Sequence, residues 1–345
     1  MRRFLFVTLL LPAVAFGQEE MRTSEEITVE RIIVDARVTD YDFEPVTDLT
    51  LDEFDVRVDG KRAEVLTAEW IPETTAARVI AGLEEGGEPE QVAGDAAGAP
   101  LGRLFIFYVQ TDFAREGPRV KGHMKFSRYV DQIIEKLEPN DRAAVFSFDS
   151  HLKFRLDFSS DPNEIKWALS QAIEIDDPPP PQIVPNPSLA RRLDRDEMKK
   201  TTSSDEAFIL IGNALRHIPG PKSMILLGWG LGHKVGKMLV MDHKYPIARR
   251  VLEQARVTVF ALDTTDVSYH DLEFGLKVAA KDTGGFYAKT DTFPQIAIDR
   301  LERTLAGHWE LEVRKPSGLK RGVHSIDVRV KRRGTYVMAR TSYVD

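Results

Sequence analysis

The sequence predicts an α/β fold: a doubly wound, mainly parallel sheet, with a small accessory β-domain drawn from N- and C-terminal strands. Three observations carry this. Leu104 to Val109 is an apolar run without polar interruption, and SMILLGWG and VTVFALD are of the same kind. Amphipathic helical stripes stand between these runs. The two ends of the chain instead alternate apolar and polar residues. A strand covered on both faces by helices shows no alternation, and strands separated by helices pair in parallel through crossovers.

Residues 1–18 read as a signal peptide. Arg2 and Arg3 make a basic start, and Phe4 to Ala15 an apolar stretch too short to span a bilayer comfortably. Ala15-Phe16-Gly17 then places small residues for cleavage before Gln18. Export to the periplasm or the extracellular space is expected, with no transmembrane segment after cleavage.

Residues 26–72 read as an N-terminal β module. Val29, Ile32, Val34, Ala36 and Val38 are available to a core, and Phe54, Val56 and Val58 face away from Asp55, Arg57 and Asp59. Asp59-Gly60 is a hairpin signal, with KRAEVLTAEWI as the returning strand. Thr50 with Glu53 three residues on is a capping box for one helical turn. Residues 73–101, rich in Glu, Gly, Ala and Pro, read as a flexible linker.

Residues 102–305 alternate strands and helices. The first helix carries Phe126, Tyr129, Val130, Ile133, Ile134 and Leu137 at helical spacing. AAVFSF is the next strand, with HLKFRLDF as an antiparallel edge beside it. Asp161-Pro162-Asn163-Glu164 combines a cap, a proline at the first helical position and a glutamate at the third. DDPPPPQIVPNP, Asp176 to Pro187, is expected to run extended as a stiff surface insertion near the sheet's edge, shaping access to it. Ser203 caps a helix lined by Phe208, Ile211, Leu215 and Ile218. Helices follow at Ile247–Ala255, near Leu272–Lys281 and from Pro294 to Leu305. Residues 306–345 return to strands: HWELEVRK and HSIDVRVKR, joined through Pro316-Ser317-Gly318, then TYVMARTSYV. Neither terminal segment has many core residues alone, so the two are expected to pack as one small sandwich.

Composition removes several function classes. The 345 residues include no cysteine, which excludes disulfides, a thiol nucleophile and thiolate metal ligands. The formal charge is −7, which argues against general nucleic-acid binding, and Lys331-Arg332-Arg333 reads as a solvated strand end. His-Glu-x-x-His and Gly-x-Ser-x-Gly are missing, and GWGLGHKVGK fits neither a dinucleotide loop nor a P-loop. Asp149-Ser150-His151 is a turn composition rather than a triad. No catalytic residue is assigned.

RLFIFYVQTDFA, Arg103 to Ala114, resembles the opening of a von Willebrand factor A (VWA) domain, which would make 102–305 a VWA-like domain. VDARVTDYDFEPVTDLTLDEFDVRVDGK, DTGGFYAKTD and the terminal strands resemble the exported VWFA-related proteins abundant in Acidobacteria. Val38, Asp40, Pro45, Val46, Leu49, Glu53-Phe54, Val56 and Asp59-Gly60 fit that pattern, and Glu44 stands where glycine is usual. The resemblance covers nearly the whole mature chain.

It implies a divalent metal at the carboxyl edge of the sheet, held by Asp-x-Ser-x-Ser, a threonine and an aspartate. Here Gln110, Asp112 and Ala114 occupy the first motif, Trp229 the acidic position, and Thr201, Thr202, Ser203 or Ser204 the threonine's place. Two carboxylates and a hydroxyl are lost, so Mg²⁺ is expected to be weak or absent and no cofactor is assigned. A rearranged site using Asp112 and Asp263 is the alternative.

The expected function is an exported, non-enzymatic VWA-type protein-binding module with a degenerate metal-ion-dependent adhesion site. A protein partner would dock at the C-terminal edge of the sheet, around Asp112, Trp229 and Asp263. Trp229 has two readings, an exposed anchor or a core cap. The rivals are an envelope hydrolase with an unrecognised carboxylate–histidine site and a structural envelope component.

Overall fold

The computed structural model describes residues 30–74, 102–112, 117–174, 176–185 and 187–345. The signal-peptide reading, nearly all of the linker and Ala114 lie outside them.

The described residues open with four strands: β1 (Arg31–Thr39), β2 (Phe54–Val58), β3 (Lys61–Ala63) and β4 (Val65–Pro72). The α/β part then runs β5 (Leu104–Gln110), α1 (Gly117–Glu135), β6 (Arg142–Phe148), β7 (Leu152–Ser159), α2 (Pro162–Ser170), α3 (Arg195–Lys199), α4 (Ser204–Leu215) and β8 (Lys222–Gly228). It continues with β9 (His233–Val235), β10 (Met238–Val240), α5 (Tyr245–Gln254), β11 (Val257–Asp263), α6 (Glu273–Asp282), β12 (Tyr287–Lys289) and α7 (Pro294–Thr304). Four strands close it: β13 (Gly307–Arg314), β14 (Val323–Val330), β15 (Tyr336–Ala339) and β16 (Ser342–Val344).

The central sheet has the order β12-β11-β8-β5-β6-β7. Its pairs are parallel except β6–β7 at the edge, which is antiparallel. Every residue of β5, β8 and β11 is buried, which is why their sequences carry no alternation. Successive side chains of β5 feed two cores. Leu104, Ile106 and Tyr108 pack with Phe208, Ile211, Leu252 and Leu276 of α4, α5 and α6. Phe105, Phe107 and Val109 pack with Phe126, Ile134, Ile165 and Ile298 of α1, α2 and α7. Helix starts follow the capping chemistry: Asp161 accepts from the Asn163 N–H at 2.8 Å and Ser203 from the Glu206 N–H at 3.3 Å.

The terminal strands interleave. One antiparallel sheet is β15-β1-β13-β4 and the other β16-β14-β2-β3. Val34, Ala36, Phe54, Val56, Trp309 and Leu311 meet in one apolar cluster between them. These sheets meet the α/β part at the amino ends of its strands. There Arg256 pairs with Asp35 and Glu310, and Thr341 binds the Asp282 backbone. The carboxyl edge of the central sheet is left clear of these contacts.

Several local expectations change. KRAEVLTAEWI is not one returning strand. β3 pairs with β2 through the Asp59-Gly60 turn, whose φ values are +48° and +74°, and β4 then crosses to the other sheet. HWELEVRK and HSIDVRVKR likewise enter different sheets, and TYVMARTSYV divides into β15 and β16. The alternating pattern fixes which face is buried but not where a strand changes sheets. The second half of GWGLGHKVGK supplies β9 and the Gly236-Lys237 turn, across which β9 pairs with β10. The helix α3 falls between Pro187 and Ser203, where the sequence reading assigns no element. Asp194 caps it, accepting from the Asp196 and Glu197 N–H groups.

Candidate functional site

Strand order reverses between β5 and β8, and in open α/β sheets the crevice for ligands lies beyond the carboxyl ends at that point. Gln110 ends β5, and Gly228-Trp229-Gly230 ends and follows β8. Gln110 is buried at 4% exposure and uses both ends of its amide. Its Oε1 accepts from the Trp229 N–H at 3.0 Å and the Gly230 N–H at 3.2 Å. Its Nε2 donates to the Gly230 carbonyl at 2.8 Å and to Ser204 Oγ at 3.0 Å. Ser204 Oγ also accepts from Tyr108 Oη at 3.0 Å. Gly228 is required for this approach, since a Cβ there would stand 2.3 Å from Gln110 Oε1. The side chain is an amide clamp that ties β5 to the loop after β8 and to the start of α4.

The metal that the resemblance implies does not fit these atoms. A hard cation needs several oxygens with net negative charge. Gln110 offers one neutral oxygen, already facing two N–H donors, and both acceptor positions of Ser204 Oγ are taken by donors.

Trp229 is half-buried. The Arg119 guanidinium lies 3.4 Å from its ring centroid, a cation–π stack. Its Nε1 is buried without a hydrogen-bond partner. The residue is therefore neither a free-standing anchor nor a fully buried cap. Asp112 lies just past β5, half-buried, with no hydrogen bond to Trp229 or Asp263.

Asp263, the last residue of β11, is fully buried. It accepts from the Thr265 N–H at 3.0 Å and Tyr287 Oη at 2.7 Å, and pairs with His270 Nε2 at 2.8 Å. Burial pushes its carboxyl up, but the His270, Thr265 and Tyr287 bonds together hold it below its ordinary value. Glu273 joins through Tyr287 Oη at 3.3 Å, and ligand atoms of Asp263, His270 and Glu273 lie within 4.8 Å of one another, a spacing that could hold a metal. Lys277 and Lys289 already answer the Glu273 charge. A second such group, Asp35, His308 and Glu310, lies in the terminal sheets beside Arg256.

Asp205, the second residue of α4, is 3% exposed, and its Oδ1 has no hydrogen-bond partner. Burial, with repulsion from Asp242 and Glu206, pushes its carboxyl up to about 6. Sequence reasoning missed Asp205, Arg119 and His270. Only Asp205 left a trace, as an acidic residue in the first turn of an otherwise apolar helix.

The hairpin β9–β10 and the segment 269–274 border this edge. Lys234 bridges to Asp271 at 2.7 Å, and the Leu231 N–H donates to the Leu272 carbonyl. Val235, Met238, Tyr269 and Phe274 stay exposed there, at 56%, 70%, 67% and 42%.

No protein-family model matches the chain, and no curated protein matches it. Solved structures similar in arrangement include a von Willebrand factor type A protein from Catenulispora acidiphila, at 11% identity and TM-score 0.42, covering 70% of this chain and 66% of that one. The conserved hypothetical protein BatB from Bacteroides thetaiotaomicron has 14% identity and TM-score 0.39, covering 59% and 97%. Proximal thread matrix protein 1 from the mussel byssus, with a zinc-occupied MIDAS motif, has 15% identity and TM-score 0.38, covering 64% and 50%. The chain spans about half the length of this last protein. Among the described residues no helix is long and apolar enough to cross a membrane.

Proposed function

We propose that the chain is an exported, non-enzymatic VWA-type module, with its terminal strands as an accessory β-domain. It would act in the periplasm or outside the cell, binding a protein partner at the carboxyl edge without a metal ion. The observation that supports this reading is the Gln110 amide, which makes four hydrogen bonds where the resemblance implies an ion and ties down the loop bearing Trp229. The contact surface would be the Arg119-stacked Trp229 with the exposed Val235, Met238, Tyr269 and Phe274. Aromatic and Arg side chains are enriched at such centres, and scattered apolar exposure gains meaning when it is contiguous.

The test is capture of partners from envelope extract by the mature chain, with and without chelator. Recognition should survive chelation and fall at least tenfold in Trp229→Ala. Recognition abolished by chelation and restored by Mg²⁺ overturns the metal-free reading. Retention by Trp229→Ala overturns the assignment of the surface.

The hydrolase reading has one observation in its favour: His270 is oriented by a buried carboxylate, as a general base would be. Among the described residues no hydroxyl nucleophile is hydrogen-bonded to His270, which is why binding is preferred to catalysis. Hydrolysis of generic esters that disappears in His270→Ala reverses that order.

A further inference from the structure

The proline-rich arm encloses a cavity that neither the amide clamp nor Trp229 uses. Residues 176–185 run without helix or strand past the start of β7 and the helix α3. Between them lies a half-open cavity of about 180 Å³. Its inner wall is the buried side chains Leu152, Phe154 and Met198 with Leu193, and its outer wall is Pro178 to Pro181. The arm is pinned at its root. Asp177 pairs with His151 Nε2 at 2.7 Å and with Lys199 Nζ at 2.8 Å, and Arg195 donates to the Pro178 carbonyl at 3.0 Å.

Two features make this more than a packing gap. The first is preformation. Four consecutive prolines have little rotational freedom to lose, so a ligand entering beside them orders almost nothing, and preorganised apolar cavities of this size accept a single ring. The second is charge. The chain is acidic overall, at −7, yet the charged lining is Lys153, Arg195 and Lys199 against Asp177 alone, with Lys153 buried and Arg195 exposed. Asp177 is already shared by two cationic partners, and Lys153 pairs with Asp149. Arg195 makes one hydrogen bond, to a neutral carbonyl, and no ion pair among the described residues. An apolar chamber with a spare guanidinium at its mouth matches a ligand that is apolar at one end and anionic at the other.

We propose that this cavity is a binding site for a small amphipathic carboxylate, an aryl or branched-chain acid of roughly ten non-hydrogen atoms. The apolar body would lie against Phe154, Met198 and the prolines, and the carboxylate would pair with Arg195 in the two-pronged geometry that guanidinium offers. The site shares no residue with the proposed partner surface, so either can fail without the other.

The experiment is calorimetry and two-dimensional NMR on the mature chain with three probes that share the phenyl ring and differ in head-group charge: phenylacetate, its isostere phenylacetamide, and phenethylammonium. Phenylacetate should bind with Kd in the range of about 0.1–1 mM, in keeping with the efficiency of ligands this small. The amide should bind at least fivefold more weakly, and the ammonium not measurably. Arg195→Gln removes one contact at the arm's root but keeps both Asp177 pairs; it should bring phenylacetate down to the amide's affinity, and an unchanged affinity for the amide shows that the chamber has kept its shape. Met198→Trp should fill the chamber and abolish both, with circular dichroism confirming that the variant is folded. Equal binding of carboxylate and ammonium, an Arg195→Gln chain with unaltered phenylacetate affinity, or no probe perturbing Leu152, Phe154 or Met198 resonances at 10 mM (on the order of ten times the weakest Kd expected) would each overturn the proposal.

Discussion

Asp205→Asn should stabilise the protein at neutral pH and change nothing in acid. Asp205 is 3% exposed, its Oδ1 has no partner, and its carboxyl is pushed up to about 6 by burial first and then by Asp242 and Glu206. An unfolded aspartate titrates near 3.9, so the folded state holds the proton more tightly. Below about pH 4 both states are protonated and there is no penalty. Between about pH 4 and 6 the folded state binds more protons than the unfolded one, and stability falls as pH rises. Above about pH 6 the penalty is complete, at about 3 kcal/mol for a shift of about two units at 1.36 kcal/mol each. The expected gain for the asparagine is therefore about 3 kcal/mol at pH 7–8, declining to zero by about pH 4. Urea unfolding of both proteins at half-unit pH steps measures it. A gain that does not vary with pH, or a loss of stability at pH 8, refutes the reasoning, since either means the carboxylate is satisfied in the fold.

Gln110→Ala should cost about 4 kcal/mol in urea unfolding. It strands the Trp229 and Gly230 N–H groups, each worth roughly 1–3 kcal/mol when buried unmet, and a cost under about 1 kcal/mol would falsify the clamp. Gly228→Ala puts a Cβ 2.3 Å from Gln110 Oε1 and should cost at least about 2 kcal/mol, with loss of the Trp229 near-ultraviolet dichroism. Asp35 is held at about 2, with burial opposing and the His308 and Arg256 charges prevailing, so its stabilisation is complete above about pH 4 and lost as pH falls through about 2. Asp35→Asn should lose about 2 kcal/mol at pH 7 and converge with the parent in acid titration near pH 2. Equal acid midpoints for the two proteins contradict this.

The sequence was most legible where one physical demand dominates. Burial on both faces leaves strands such as Phe105–Val109 without polar residues, and Asp161 and Ser203 are caps that local chemistry alone selects. Legibility ended where partners are far apart in the chain. That Val34 and Leu311 lie opposite each other, or that β3 and β4 part company at Glu64, depends on which sheet closes over the core, and a period of two is the same in either sheet. The edge site shows the same division. Gln110 in the place of an aspartate was readable as a lost charge. Its four hydrogen bonds were not readable, because two donors and the carbonyl belong to backbone about 120 positions away, where side-chain identity says nothing. Arg119 over Trp229 follows no local pattern, since it depends on where α1 docks.

On the proposed reading, an amide in the place of an ion would change how the edge behaves. A divalent cation leaves an open coordination position, and a partner's carboxylate can complete it, so affinity follows cation supply and the bound loop conformation is set on binding. An amide has no such vacancy. Its oxygen and nitrogen are both spent inside the protein, and the loop from Trp229 to Leu231 is held in one arrangement before any partner arrives. If a partner docks here as proposed, its affinity would come from area and stacking at Trp229, Met238 and Tyr269 rather than from a shared ion. That difference has a kinetic signature. Partner association should be insensitive to Mg²⁺ between zero and millimolar, and Trp229→Ala should act mainly on the dissociation rate, as loss of a buried contact does. Arg119→Gln removes the charge over the ring and should raise dissociation by a smaller factor, about threefold to tenfold for roughly 1 kcal/mol of cation–π contact. Surface plasmon resonance with a captured partner reads all three variables, and an association rate that climbs with Mg²⁺ would show that an ion still organises this edge.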